Sequence, residues 1–146
     1  MLRGRDDGYE ASDDPARLDV DVIHGFLRTS YWSPGVSRQT VEKAIQGSLP
    51  MGLYAPDSRQ AGFARVVTDR ATFGYLADVF VLPEHRGRGL SRFLVGALLE
   101  HPDVSGLRRW MLATADAHGV YEALGFTALV DPSRWMTLQS ARTVET

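Results

Sequence analysis

The run Arg86-Gly87-Arg88-Gly89-Leu90-Ser91 joins two arginines and two glycines to the start of an apolar-periodic segment. Glycine lets main-chain N–H groups approach a ligand with no Cβ in the way. The free N–H groups of a helix start carry a positive dipole end, and the arginines add formal charge. Together they form a compact anion cradle suited to a pyrophosphate. The same residues also serve in a plain strand-to-helix turn with solvated arginines. Two nucleotide-binding readings fit poorly. A P-loop needs a Lys-Ser/Thr pair that is missing here. A dinucleotide fingerprint needs a third glycine where this chain has Arg92, and it normally lies in a first βαβ unit.

Such a cradle needs a strand before it and a helix after it. Residues 70–83, RATFGYLADVFVLP, read as a buried strand ending at Pro83. Leu90, Phe93, Leu94, Ala97, Leu98 and His101 share one helical face, and Pro102 stops the helix. Upstream, Leu18, Val22 and Phe26, with Ile23 and Leu27, predict a helix ending near Arg28. Asp13 or Asp14 before Pro15, or Asp19, would cap its start. Ser30 to Ser37 is a loop carrying Tyr31 and Trp32. Ser37 caps a second helix that closes at Gly47. LPMGLYA and QAGFARVVTD are strands separated by the turn signal PDSRQ.

Downstream, LRRWMLATA predicts a further strand, and Asp116 to Gly125 a helix with Gly125 as its C-cap. FTALVDP and RWMTLQS are expected to be the last two strands. Near the N-terminus GYEAS is a short first strand or a frayed end, and the tail ARTVET is expected to be loose. This order gives a mixed sheet with packed helices, an α/β (α+β mixed) fold in a single domain over 1–146.

Composition removes several function classes. The 146 residues are 44% hydrophobic and 23% charged, an ordinary globular balance. Sixteen basic and 18 acidic residues leave a net charge of -2, which argues against a nucleic-acid binder. There is no cysteine, hence no thiolate nucleophile, disulfide or cysteine-held metal. No signal peptide is expected from the polar N-terminus, and no apolar run approaches the roughly 20 residues of a membrane span. A cytoplasmic location fits these features.

Two segments resemble one family. DVFVLPEHRGRGL is similar to motif A of the GNAT acyltransferase superfamily, a strand ending in V-x-P, then [RQ]-x-x-G-x-[GA], then an amphipathic helix. Ser91 stands where that motif has Gly or Ala. ATADAHGVYEALGF resembles the superfamily's motif B, with Tyr121, Gly125 and Phe126 in register. The motifs come in the expected order, and the resemblance covers nearly the whole chain.

The resemblance implies an acyl-CoA N-acyltransferase fold, a central, mostly antiparallel mixed sheet flanked by about four helices. It implies transfer of an acetyl group from acetyl-CoA to a primary amine of a small molecule or peptide, with no metal. Main-chain groups of Arg86, Gly87, Arg88, Gly89, Leu90 and Ser91 would hold the CoA pyrophosphate. Those of Val79, Phe80 and Val81 would meet the pantetheine arm, and an N–H near Val79 would polarise the thioester carbonyl. An alkylamine of pKa ~10 must lose a proton before it attacks, and the leaving thiolate benefits from an acid. Tyr121 matches the family's acid.

The family's usual base position maps to Tyr75, which is no carboxylate. The nearest carboxylate is Asp78. In regular alternation it points away from the face of Tyr75 and Val79, unless a bulge intervenes. Asp69, His118 and water are the other candidates for the base. Tyr31 and Trp32 would wall the amine acceptor's site together with Tyr75. A homodimer is carried as analogy alone. The alternative on the same fold is a non-catalytic CoA-binding or regulatory module.

Overall fold

The computed structural model describes residues 1–140. Alternating apolar residues and turn signals produce its central antiparallel meander, β3 (Leu49–Tyr54), β4 (Gln60–Thr68) and β5 (Phe73–Val81). GYEAS forms β2 (Glu10–Ser12), which pairs with β3 and with a strand the pattern did not reveal, β1 (Leu2–Gly4). Three residues are too few to carry a periodicity. The last strand, β6 (Arg109–Met111), lies parallel to β5. The sheet order is β1-β2-β3-β4-β5-β6.

Local chemistry sets the helix starts. The Asp19 carboxylate accepts from the Val22 N–H and caps α1 (Val20–Leu27). Asp14 instead caps a separate 3-10 turn, Pro15–Arg17. The Ser37 hydroxyl accepts from the Thr40 N–H at the start of α2 (Arg38–Gln46). The long crossover helix α3 (Leu90–Leu99) joins the two parallel strands. It ends before His101, which is nevertheless buried and bonds the Asp13 carboxylate at 2.7 Å. Helix α4 (His118–Glu122) starts after Ala117 rather than at Asp116, without a side-chain cap.

The sheet is covered on both faces. Ile23, Leu27, Val36 and Val41 pack on Phe63 and Phe80 on one side. On the other, Leu90, Leu94, Val95, Ala97 and Leu98 of α3 pack on β3, β4 and β5. This is the mostly antiparallel mixed sheet flanked by helices that the resemblance implies, with four α-helices among the described residues. Among the described residues no helix is long and apolar enough to cross a membrane.

The two expected C-terminal strands do not form. Phe126 to Pro132 and Arg134 to Ser140 contain no strand, and Val130, Met136 and Leu138 are exposed. Asp131 takes a left-handed conformation (φ 52°) and starts a 3-10 turn, Pro132–Arg134. Alternation in sequence makes a strand only where a neighbour offers a ladder, and β6 is only three residues long. The tail ARTVET lies outside the described residues.

Tyr54 is the largest fully buried side chain, and among the described residues its hydroxyl has no hydrogen-bond partner. The ring folds back over Gly52, where a Cβ would stand 2.3 Å from the Tyr54 hydroxyl oxygen. Burial pushes the Tyr54 pKa up to about 12. An unfolded tyrosine ionises near ~10. The unfolded chain therefore releases this proton first, and stability falls as pH rises from about 10 towards 12. Removing an unsatisfied buried hydroxyl costs little or stabilises, by about 1 kcal/mol. Tyr54→Phe should equal or exceed the parent at neutral pH and lose less stability at alkaline pH, as read by denaturant unfolding at pH 8 and pH 11.

Candidate active site

The ladder between β5 and β6 runs from Phe73 to Tyr75 on β5 and stops there. Beyond Tyr75, β5 keeps β4 on one edge and, among the described residues, has no strand on the other. The main chain of residues 76–81 thus borders a V-shaped opening between β5 and the β6–α4 connection. In the same stretch the β4–β5 register shifts: Arg65 opposes Ala77 and Phe63 opposes Phe80. Asp78 and Val79 therefore face a single β4 residue. Asp78 adopts φ 55°, a left-handed conformation that Asp tolerates better than most residues. This is a β-bulge, and it bends and twists the strand.

The bulge reverses the side-chain phase. Leu76 and Val81 both enter the α3 core, although regular alternation would send them to opposite faces. Val79 joins that core, and Asp78 turns to the side of Phe80. Regular alternation predicted the reverse, Asp78 away from the face shared by Tyr75 and Val79. The extra residue makes the difference.

Asp78 is held at three points. Its Oδ2 accepts from Arg65 Nε at 2.7 Å, its Oδ1 from Trp32 Nε1 at 3.0 Å, and its backbone sits in the bulge. Arg65 Nη1 donates to the Ser48 hydroxyl, which donates to the Ala44 carbonyl. The two charged side chains are only 17% and 11% exposed. Trp32 leans on Phe26, which stacks on Phe80 with centroids 4.2 Å apart. Tyr31 meets Trp32 edge-on, and its hydroxyl accepts from the Ala115 N–H. The loop between α1 and α2 is thereby tied to both arms of the V.

A cleft of ≈ 490 Å³ lies beneath this loop. Tyr31, Trp32, Tyr75, Asp78, Val79 and Tyr121 line it. Tyr121 is half-buried and packs edge-on against Phe126. Its hydroxyl makes no hydrogen bond among the described residues. Burial, then the nearby Tyr31 and Asp116, raise its pKa above the ordinary tyrosine range. The hydroxyl keeps its proton at neutral pH.

A second cavity, ≈ 460 Å³, is lined by Arg86, Gly87, Gly89 and Ser91 on one wall and Gly119 and Val120 of α4 on the other. Gly87 and Gly89 have φ of 81° and 70°, and a Cβ at either would meet no protein atom. Backbone conformation, not packing, requires these glycines. No side chain caps α3, so its first N–H groups are available to an anion. Arg86 Nε donates to the Val81 carbonyl at 3.0 Å and pins the turn to the end of β5. Arg88 is exposed. His85 lines the same cavity and bonds the Tyr9 hydroxyl at 2.7 Å. The arrangement, glycine cradle, free helix start and open strand edge, fits a CoA-type donor.

Two expected bases lie elsewhere. Asp69 accepts from the Thr72 hydroxyl and from the N–H groups of Thr72, Ala71 and Phe73, which hold it well below the usual carboxylate range. It serves the β4–β5 turn. His118 is exposed in a neighbouring cavity of ≈ 430 Å³ that Tyr121 also borders. Arg65, Ser48 and His85 were not anticipated. Arg65 had one legible sign, its position two residues from Phe63 on the same strand face. Among the described residues no cluster of three or more metal-ligating side chains occurs.

Known proteins agree with this geometry. The profile of the acetyltransferase (GNAT) family matches residues 22–126. A candidate acetyltransferase of Gibberella zeae is 35% identical over 130 residues, covering 74% of this chain and 72% of its own. The crystal structure of a candidate GNAT-family acetyltransferase from Xanthomonas campestris pv. campestris is 47% identical, with a TM-score of 0.86 over 90% of this chain and 93% of that one. A candidate acetyltransferase of Clostridium acetobutylicum, crystallised with acetyl-CoA, shares the fold at 16% identity, with a TM-score of 0.63 over 95% and 96% of the two chains. Glycine cradle, splayed strands and motif tyrosine thus sit where the family profile matches, and the chain belongs to the GNAT acetyltransferase family.

Proposed function

We propose that this chain transfers an acetyl group from acetyl-CoA to a primary amine of a small molecule or peptide. The observation that carries the reading is the Tyr121 hydroxyl, unpartnered and proton-retaining, in the cleft bordered by the open edge of β5. When bound, acetyl-CoA supplies an acetyl thioester that a neutral amine attacks and a thiolate that departs.

The chain's own groups do the rest. Main-chain N–H groups from Arg86 to Ser91 hold the pyrophosphate, with the α3 dipole behind them. The edge of β5 at Val79, Phe80 and Val81 that faces away from β4 receives the pantetheine arm as a strand receives a neighbour. An N–H near Val79 donates to the thioester carbonyl oxygen and stabilises the charge developing there. Tyr121 gives its proton to the departing sulfur. Asp78 acts by position: its two oxygens are committed to Arg65 and Trp32, so the amine's proton leaves through water.

A tyrosine at position 75 and the engaged Asp78 favour one other reading, CoA binding without turnover. Thiol release from acetyl-CoA on adding amines separates the two.

Tyr121→Phe should lower kcat about 100-fold or more, in the range of lost general-acid catalysis, with little change in the KM for acetyl-CoA. An acid acts while protonated, so parent activity should fall as pH rises through the raised Tyr121 pKa, above the ordinary tyrosine range; the Phe variant should lack that limb. Gly89→Val forces a side chain into left-handed backbone at a cost of about 1–3 kcal/mol. It should raise the KM for acetyl-CoA tenfold or more while kcat at saturation is largely kept. Asp78→Asn strips Arg65 of its countercharge and should cost about 3 kcal/mol in urea unfolding. The acid limb of kcat should stay in place; its disappearance would make Asp78 the base.

A further inference from the structure

We infer that the acceptor is a cationic amine on an apolar aryl or alkyl body that carries no acidic group. This rests on the transferase reading above and names the substrate class of the same cleft.

Charge comes first. The acidic and basic side chains lining the cleft are Arg65, Asp78 and Asp116. Arg65 is the sole cation among them, and it is spent: Nε is on Asp78 and Nη1 on the Ser48 hydroxyl. Asp78 is neutralised in return. Asp116 is exposed, has no ion pair among the described residues, and lies near enough to Tyr121 to help raise its pKa. The cleft therefore presents one unopposed negative charge and no free positive one. An ammonium is attracted on approach. A carboxylate or phosphate on the acceptor would meet the like charge of Asp116 with no cation free to pair it.

Shape and surface come second. Tyr31, Trp32 and Tyr75 are 60%, 40% and 39% exposed, three aromatic rings at one opening. Trp32 is locked by its bond to Asp78 and Tyr31 by its bond to the Ala115 N–H, so the wall is pre-organised. Such rings hold an ammonium by cation–π attraction and an apolar body by area. A polar sugar body gains less from that apolar area than an aryl or alkyl body does.

The reaction balances simply. The ammonium releases one proton to water and its nitrogen bonds to the carbonyl carbon. That nitrogen then releases a second proton to water as the carbon–sulfur bond breaks and Tyr121 protonates the sulfur, so one proton is released net. Bulk solvent returns the proton to Tyr121.

Matched acceptors that differ by one acidic group test the inference. With the full chain and saturating acetyl-CoA, thiol release is compared for phenethylamine against phenylalanine, tyramine against tyrosine, and glucosamine against its 6-phosphate. The amine without the acid should lead several-fold in kcat/KM for the aryl pairs, a difference that shrinks with added salt. Both sugars should be poor. Asp116→Asn should lower kcat/KM for phenethylamine several-fold, chiefly through KM. Equal or better use of phenylalanine, tyrosine or the sugar phosphate overturns the inference and leaves the transferase reading standing. So does an unchanged phenethylamine KM in Asp116→Asn. Calorimetric binding of acetyl-CoA with no thiol release for any amine overturns the transferase reading, and this inference with it.

Discussion

The Arg65–Asp78 ion pair is the contact on which the rest of the site depends. It joins β4 to the bulged residue of β5, and without it the bulge would expose a strained backbone to repair. A left-handed aspartate costs conformational energy, and such strain persists where surrounding bonds over-determine it. Here two side-chain donors and the flanking ladders do so. The pair is shielded enough that removing one partner would leave a costly charge behind, and polar enough that Ser48 and Trp32 are needed to complete it.

Three consequences follow from that one extra residue. The strand bends, so β5 parts from β6 after Tyr75 and its edge is left unpaired. The apolar phase reverses, so Leu76 and Val81 reach the same α3 core. The carboxylate turns to the acceptor side and holds Trp32, which with Tyr31 closes the loop over the cleft. The open edge of β5 and the aromatic wall of the cleft thus both adjoin a single irregularity. It also brings a carboxylate into the cleft although position 75 is a tyrosine.

The cradle at the start of α3 works on a different principle. Gly87 and Gly89 supply backbone angles, and the uncapped helix supplies donors. Arginine charge contributes less directly than its abundance suggests, since Arg86 spends its Nε on the Val81 carbonyl and fixes the turn. In the proposed reading the main chain holds the phosphate end, which leaves the acceptor to a separate set of side chains on the other face of the sheet.

Much of this was legible in the residues. Periodicity placed the meander, α1, α2 and α3, because burial repeats with the geometry of the element. Glycine and proline placed the turns, and the two motifs named the family. Local signals misled where no partner was available: RWMTLQS alternates like a strand but has no ladder to join. What the sequence by itself determined was the glycine turn at the start of α3, since backbone angles at Gly87 and Gly89 are a local property. What only the tertiary structure decided was the acceptor side. The direction of Asp78, the commitment of Arg65 and the wall of Tyr31, Trp32 and Tyr75 depend on a register shift between two strands. Such a shift is a pairwise property of β4 and β5, written in neither strand alone.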